Sequence, residues 1–253
     1  MQIISLCSGS KGNCSIIRHK NTVIMVDCGA SQKYIKQRMS DLSLRFDQID
    51  AVLFTHDHID HIRSIKMCAD VQCFSWVKMK ETKEIQPFEP MMIKNLKITA
   101  MPLSHDAQNT VGYLFEEGTE KLVYMTDTGY VPKKILPLIH NADIYFIESN
   151  HDIEMLMKTS RPQHIKARIY GDRGHLCNED CAAVLRQIVG PSTKEIILAH
   201  LSEEANKPEL AYNITSQALR FHPLCSNVKV KVAGQFEVCM GGKWNEEDHN
   251  SFV

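Results

Sequence analysis

Thr55-His56-Asp57-His58-Ile59-Asp60-His61 puts four groups able to bind a metal ion within six residues, directly after the apolar run Ala51-Val52-Leu53-Phe54. The run is short, β-branched and aromatic, which predicts a buried strand. In extended backbone His56 and His58 face the same way, because side chains alternate with period two. The turn that follows lets Asp60 and His61 project back toward a neighbouring point. Four such groups are more than one ion needs. Their crowding predicts two adjacent ions, with His56 and His58 on one and Asp60 and His61 on the other.

Outward from this cluster, the same arrangement recurs at the ends of other predicted strands. Segments 96–101, 121–126 and 195–199 read as strands, and His105, Asp127 and His200 come just after them. Loops leaving one edge of a sheet can converge on one crevice, so these residues complete the candidate ligand set. Asp127 is the carboxylate able to give one oxygen to each ion. Further strands are predicted at 3–6, 15–18, 23–27, 111–116, 143–148, 228–233 and 236–240. Helices are predicted from Ser31 to Met39 and over 60–68, 133–140, 178–189 and 208–221, the last with Asn206 as cap and Glu209 as its third residue. Strands early, then helices interleaved with strands in both halves, predict two packed sheets covered by helices: an α/β (α+β) chain, one domain over residues 1–253.

The composition narrows the class. With 253 residues, 43% apolar and 23% charged, the chain is no disordered, collagenous or coiled-coil sequence. No apolar run approaches the roughly 20 residues of a membrane span. Met1-Gln2-Ile3-Ile4-Ser5-Leu6 lacks the basic-then-apolar start of a secretion signal. Nine scattered cysteines, never spaced Cys-x-x-Cys, suit free thiols in a reducing cytoplasm. A formal charge of −1 gives no bulk basicity for nucleic acid. One stretch departs from it: Lys158 to His175 carries Lys158, Arg161, Lys166, Arg168 and Arg173 against Asp172, a net +4. These five cations are the candidate contacts to a phosphate backbone. The loop Ser8-Gly9-Ser10-Lys11-Gly12-Asn13 is not a nucleotide-binding phosphate loop and reads as a hairpin turn.

His-x-His-x-Asp-His, then a His, an Asp and a final His, resembles the metallo-β-lactamase-fold hydrolases over essentially the whole chain. The resemblance implies a four-layer αββα sandwich with a two-metal centre at one edge of its sheets. It assigns His56, His58, His105 and Asp127 to one divalent ion, and Asp60, His61, Asp127 and His200 to the other, zinc or manganese. Four further stretches look like the YycJ/WalJ-like group: Ser5 to Cys14, Glu148-Ser149-Asn150-His151-Asp152, Gly174-His175-Leu176-Cys177-Asn178 and Ala199-His200-Leu201-Ser202. That group is associated with 5′→3′ exonuclease action on DNA.

The expected chemistry is a phosphodiesterase in which a hydroxide bridging the metals attacks phosphorus in line. Asp60 orients that hydroxide, while His151 and His175 contact the scissile phosphate or protonate the leaving oxygen. The partner is a nucleic acid, DNA first, with no membrane. RNA, a small phosphodiester or a glyoxalase-type thioester are the alternative substrates on the same ligand set. A lactam is disfavoured, because His61 and Asp127 stand where a β-lactamase of this fold differs.

Overall fold

The computed structural model describes residues 1–80, 82–223 and 227–243. Its first sheet contains β1 (Gln2–Cys7), β2 (Cys14–His19), β3 (Thr22–Val26), β4 (Ala51–Phe54), β5 (Cys73–Ser75) and β6 (Lys83–Glu84). The second contains β7 (Pro90–Ile93), β8 (Leu96–Pro102), β9 (Val111–Glu117), β10 (Glu120–Met125), β11 (Ile144–Glu148), β12 (Glu195–Ala199) and β13 (Lys229–Val232). β14 (Cys239–Gly242) returns to the first sheet and pairs antiparallel with β1. Each sheet therefore has seven strands among the described residues. The helices are α1 (Gln32–Asp41), α2 (Ile59–Ile62), α3 (Leu136–Ile139), α4 (Ile153–Lys158), α5 (Gln163–Tyr170), α6 (Asn178–Ile188) and α7 (Pro208–Leu219).

Period-two alternation explains the layers. Ile3, Ile17, Ile24 and Leu53 of the first sheet face Ile98, Tyr113, Phe115, Tyr124, Phe146 and Ile197 of the second, forming a continuous inner core. Their strand neighbours point outward. Val123, Tyr145, Ile147, Ile196 and Leu198 pack on Ile139, Leu185, Ile188 and Leu219 from α3, α6 and α7. On the other side, Ile4, Ile16, Met25, Val52 and Phe54 meet Ile35 and Met39 of α1. Because both faces of each sheet are covered, central strands such as Ala51–Phe54 are apolar at every position. Each such side chain contributes about 1.5–3 kcal/mol by leaving water. The expected αββα sandwich is the observed one.

Strand direction brings one edge to chemistry. β3–β4 and β10–β11–β12 run parallel, while β8 is antiparallel to β9, which is antiparallel to β10. The carboxyl ends of β3, β4, β8, β10, β11 and β12 therefore share one edge of the sandwich, and the loop after β1 joins them.

Several expected elements differ. The helix predicted over 60–68 stops at Ile62 and resumes as a 3-10 turn at Ile65–Cys68. Its continuation is broken where Ser64 N donates to Cys28 O and Ser64 Oγ donates to Ala30 O. The strand predicted from Phe236 begins only at Cys239, because Gln235 is drawn onto the glycine loop, accepting from Lys11 N and donating to Gly12 O. Asn206 does not cap α7. Its buried amide donates to Ser149 O and Asn150 O, and the cap position belongs to Lys207. The helix predicted over 133–140 shrinks to Leu136–Ile139.

Candidate metal centre

Three backbone turns aim the site. Asp27, Asp127 and His200 each follow a strand end in the left-handed region, at φ 58°, 59° and 55°. That conformation costs a non-glycine residue of order 1 kcal/mol or more, and the surrounding bonds enforce it. Asn150 Nδ2 donates to His200 O and His200 N donates to Ser8 Oγ. Gly29 is required where the β3 loop meets α2, because a Cβ there would lie 1.5 Å from Asp60 O. Cys28 N donates to His61 O and Asn13 N to Asp60 O, locking three loops together.

The predicted ligands converge. His56, His58 and His105 offer nitrogens close enough to hold one ion, a carboxylate oxygen of Asp60 with nitrogens of His61 and His200 could hold a second, and Asp127 joins His56 and His61 between them. His58 Nδ1 lies 3.3 Å from His105 Nε2, and His61 Nε2 lies 3.4 Å from Asp127 Oδ2 and 3.7 Å from Asp60 Oδ2. Asp127 Oδ1 is 3.3 Å from His200 Nδ1 and 4.0 Å from His105 Nε2. His56 Nε2, His200 Nε2 and Asp127 Oδ2 are buried with no hydrogen-bond partner. Orphaned buried polar atoms are costly unless something else satisfies them, and imidazole with carboxylate is a divalent-cation donor set. The residues fit such a group.

Behind the ligands stand groups that fix their rings. Asp27, at the end of β3, has Oδ2 2.8 Å from His61 Nδ1 and accepts from Thr55 N and Thr55 Oγ1. Thr55 Oγ1 in turn lies 3.1 Å from His56 Nδ1. Glu148, at the end of β11, has Oε1 2.7 Å from His200 Nδ1 and 2.8 Å from His175 Nδ1, while its Oε2 accepts from Thr128 N and Leu176 N. His105 Nδ1 lies 3.0 Å from Gly174 O. Neither Asp27 nor Glu148 entered the ligand reading of the sequence. Both close a predicted strand at the same edge as the ligands, which is the signal that could have found them.

The electrostatics follow from this packing. Burial opposes charge on His61, yet the carboxylates of Asp127 and Asp27 push it up to about 10. Burial likewise opposes charge on His200, and Asp127 with Glu148 raises it to about 9. His56 goes well below the ordinary imidazole value through burial and the neighbouring His61. Burial lowers His105 too.

A family model described as the beta-lactamase superfamily domain matches residues 22–201, which spans every ligand. The chain belongs to the beta-lactamase superfamily. Exodeoxyribonuclease YycJ of Bacillus anthracis is 34% identical over 230 residues, covering 85% of this chain and 87% of that one. Exodeoxyribonuclease WalJ of Streptococcus pneumoniae is 35% identical over 225 residues, covering 82% and 84%. The metallo-β-lactamase fold protein YhfI of Bacillus subtilis superposes with a TM-score of 0.68 at 16% identity, covering 95% of this chain and 99% of that one. Membership and ligand set together make this superfamily member a metal-dependent hydrolase.

The remaining predicted residues divide. A crevice of about 260 Å³ opens over the ligands and is lined also by Ser10, Asn150, Arg161, Arg168, His175 and Ser202. Arg161 and Arg168 thus line the crevice, paired with Glu204 and Asp106. The other three cations do not. Lys158 is exposed and paired along α4 with Glu154. Lys166 is 8% exposed and donates to Met157 O, closing the end of α4. Arg173 Nε donates to His105 O, bracing that loop. A run of like charge on a helix spreads over its whole circumference, and only one face of α5 meets the crevice. His151 is 0% exposed and lies outside the crevice lining, with both ring nitrogens unpartnered and burial dropping its pKa to about 4. An imidazole so enclosed does not face the crevice as expected, which separates it from His175. Among the described residues no helix is long and apolar enough to cross a membrane.

Proposed function

We propose that this crevice is a two-metal phosphodiesterase centre and that its substrate is DNA, degraded from the 5′ end. The observation that carries the reading is the pair of buried atoms without a hydrogen-bond partner, His200 Nε2 and Asp127 Oδ2, on residues lining a crevice that also holds Arg161 and Arg168, with His56 Nε2 a third such atom in the same ligand cluster. His56, His58, His105 and Asp127 would hold one divalent ion, and Asp60, His61, His200 and Asp127 the other. Zinc and manganese both suit these donors. Bound cations there would lower the pKa of water toward about 7 and offset phosphoryl charge during in-line displacement.

The chain's own groups do the rest. Arg161 and Arg168 exchange their carboxylate partners for phosphate oxygens and set the strand in register. Asp60, 18% exposed at the floor of the crevice, accepts a hydrogen bond from the attacking water and fixes its direction. His175 is 21% exposed, and with Nδ1 turned to Glu148 its other nitrogen is left to pass a proton to the leaving oxygen. The names of the two relatives support DNA and exonuclease action. The eight described cysteines, all free, support a reducing cytoplasm.

End-labelled duplex and single-stranded DNA, with zinc or manganese restored to metal-stripped protein, tests the proposal. Nucleotides released from the 5′ end are expected, and Asp60→Ala should cut turnover by about 10²–10³-fold with the fold intact. Rapid hydrolysis of a thioester with none of any phosphodiester would overturn the substrate class.

A further inference from the structure

Four of the five ligand histidines have the ring nitrogen away from the centre held at hydrogen-bond distance: His61 by Asp27, His200 by Glu148, His105 by Gly174 O and His56 by Thr55 Oγ1. His58 is the exception. Its Nδ1 faces His105 Nε2 at 3.3 Å, so Nδ1 is the atom on the ligand side. Its Nε2 faces Asp106 Oδ1 at 3.7 Å, too far for a hydrogen bond. Asp106 Oδ1 is buried and accepts no hydrogen bond, although His105 Nε2 also lies 3.3 Å away. The other oxygen, Oδ2, accepts from Arg168 Nε. One carboxylate thus stands between the least supported ligand and a cation that lines the crevice.

We infer that Asp106 is a positioning residue shared by His58 and Arg168, coupling phosphate engagement to retention of the ion held by His56, His58 and His105. The inference rests on the two-metal reading above. At rest Arg168 holds Asp106 short of His58. A substrate phosphate offers Arg168 a second anion, and the half-exposed pair with Asp106 is weak enough to exchange. Asp106 then closes the 3.7 Å gap, accepts the His58 Nε2 proton and fixes the ring as Asp27 fixes His61. By linkage, phosphate tightens the ion as much as the ion tightens phosphate. Glu204 provides an internal contrast, because it pairs with Arg161 in the same way but is 61% exposed.

The test is chelator competition on the metal-loaded protein, with and without inorganic phosphate. With phosphate present, Asp106→Ala and Asp106→Asn should weaken one ion by about 5-fold or more, and Glu204→Gln should weaken neither. Arg168→Gln should tighten that ion without phosphate. Removing any nearby cation could do the same, so Arg168→Gln is repeated in the Asp106→Asn background, where its effect should vanish. In the parent, phosphate should tighten the ion about 5-fold or more, and less in Asp106→Asn. Unchanged affinity in Asp106→Ala with phosphate present, or an equal Arg168→Gln effect in both backgrounds, overturns the inference. Parent protein that retains no ion overturns the two-metal reading instead.

Discussion

His61 and His200 lean on buried carboxylates, whereas His56 and His105 lean on a hydroxyl and a backbone carbonyl. The residue type is the same on both sides of Asp127, but the support differs in charge. An anion behind an imidazole raises its basicity and makes it a stronger donor. The carboxylate-backed half is therefore the anchored half, and the neutral-backed half is the one whose grip can vary with substrate. His58 belongs to the second half and has the only solvent-accessible ring among the five, 35% exposed against 0–2% for its described partners His61, His105 and His200.

Substitution behind the rings tests this asymmetry most directly. Asp27→Asn keeps an oxygen for Thr55 N but removes the charge behind His61. It should weaken one ion by about 10–100-fold in chelator competition, as should Glu148→Gln. Thr55→Val removes a neutral hydroxyl that lies 3.1 Å from both His56 Nδ1 and His61 Nδ1 and donates to Asp27, so it leaves the Asp27 charge in place and should cost less, about 2–10-fold. Equal losses on the two sides would break the comparison.

A gentler probe is pH. Ligation needs a neutral imidazole, and in metal-free protein His61 and His200 sit above their ordinary 6.5, at about 10 and about 9. Below those values they hold protons that an ion must displace. Affinity for the ion of this half should climb with pH by up to tenfold per unit for each proton released, less steeply between about 9 and 10, and flatten above about 10. His56 and His105 are lowered instead, so the other half should bind with little proton release. Calorimetry in buffers of different ionisation enthalpy counts those protons.

How much of this was legible beforehand depends on distance along the chain. The His56–His61 cluster reads at once because its donors are adjacent, and His105, Asp127 and His200 read because each follows an apolar strand. The supports were harder. Asp27 and Glu148 look like ordinary strand-end carboxylates until strand order places them behind His61 and His200. Asp106 beside His105 carries no signal without α5 folded over it. Asn206 was misread for the same reason: its spacing to Glu209 fits a cap, but the loop after β11 and the start of α6 converge on its amide and outcompete the helix end. Short elements also escaped. α4 and α5 follow Asp152 and Pro162, and their weak apolar patterns are masked by the basic residues within and between them.

That basic run supplies the smallest and most selective effect. Lys158 and Arg161 are three residues apart and carry the same charge, yet one is paired on an exposed helix and the other lines the crevice. Lys158→Ala should cost about 0.3–0.5 kcal/mol of stability by thermal melting and leave DNA affinity as it was. Arg161→Ala should weaken DNA binding and flatten the logarithmic salt dependence by about 0.7–0.9, the signature of one lost phosphate contact. If Lys158→Ala flattened the salt dependence equally, the cations would act as a diffuse field. The crevice would then draw its substrate by net charge along the segment, independent of which side chains face the metals.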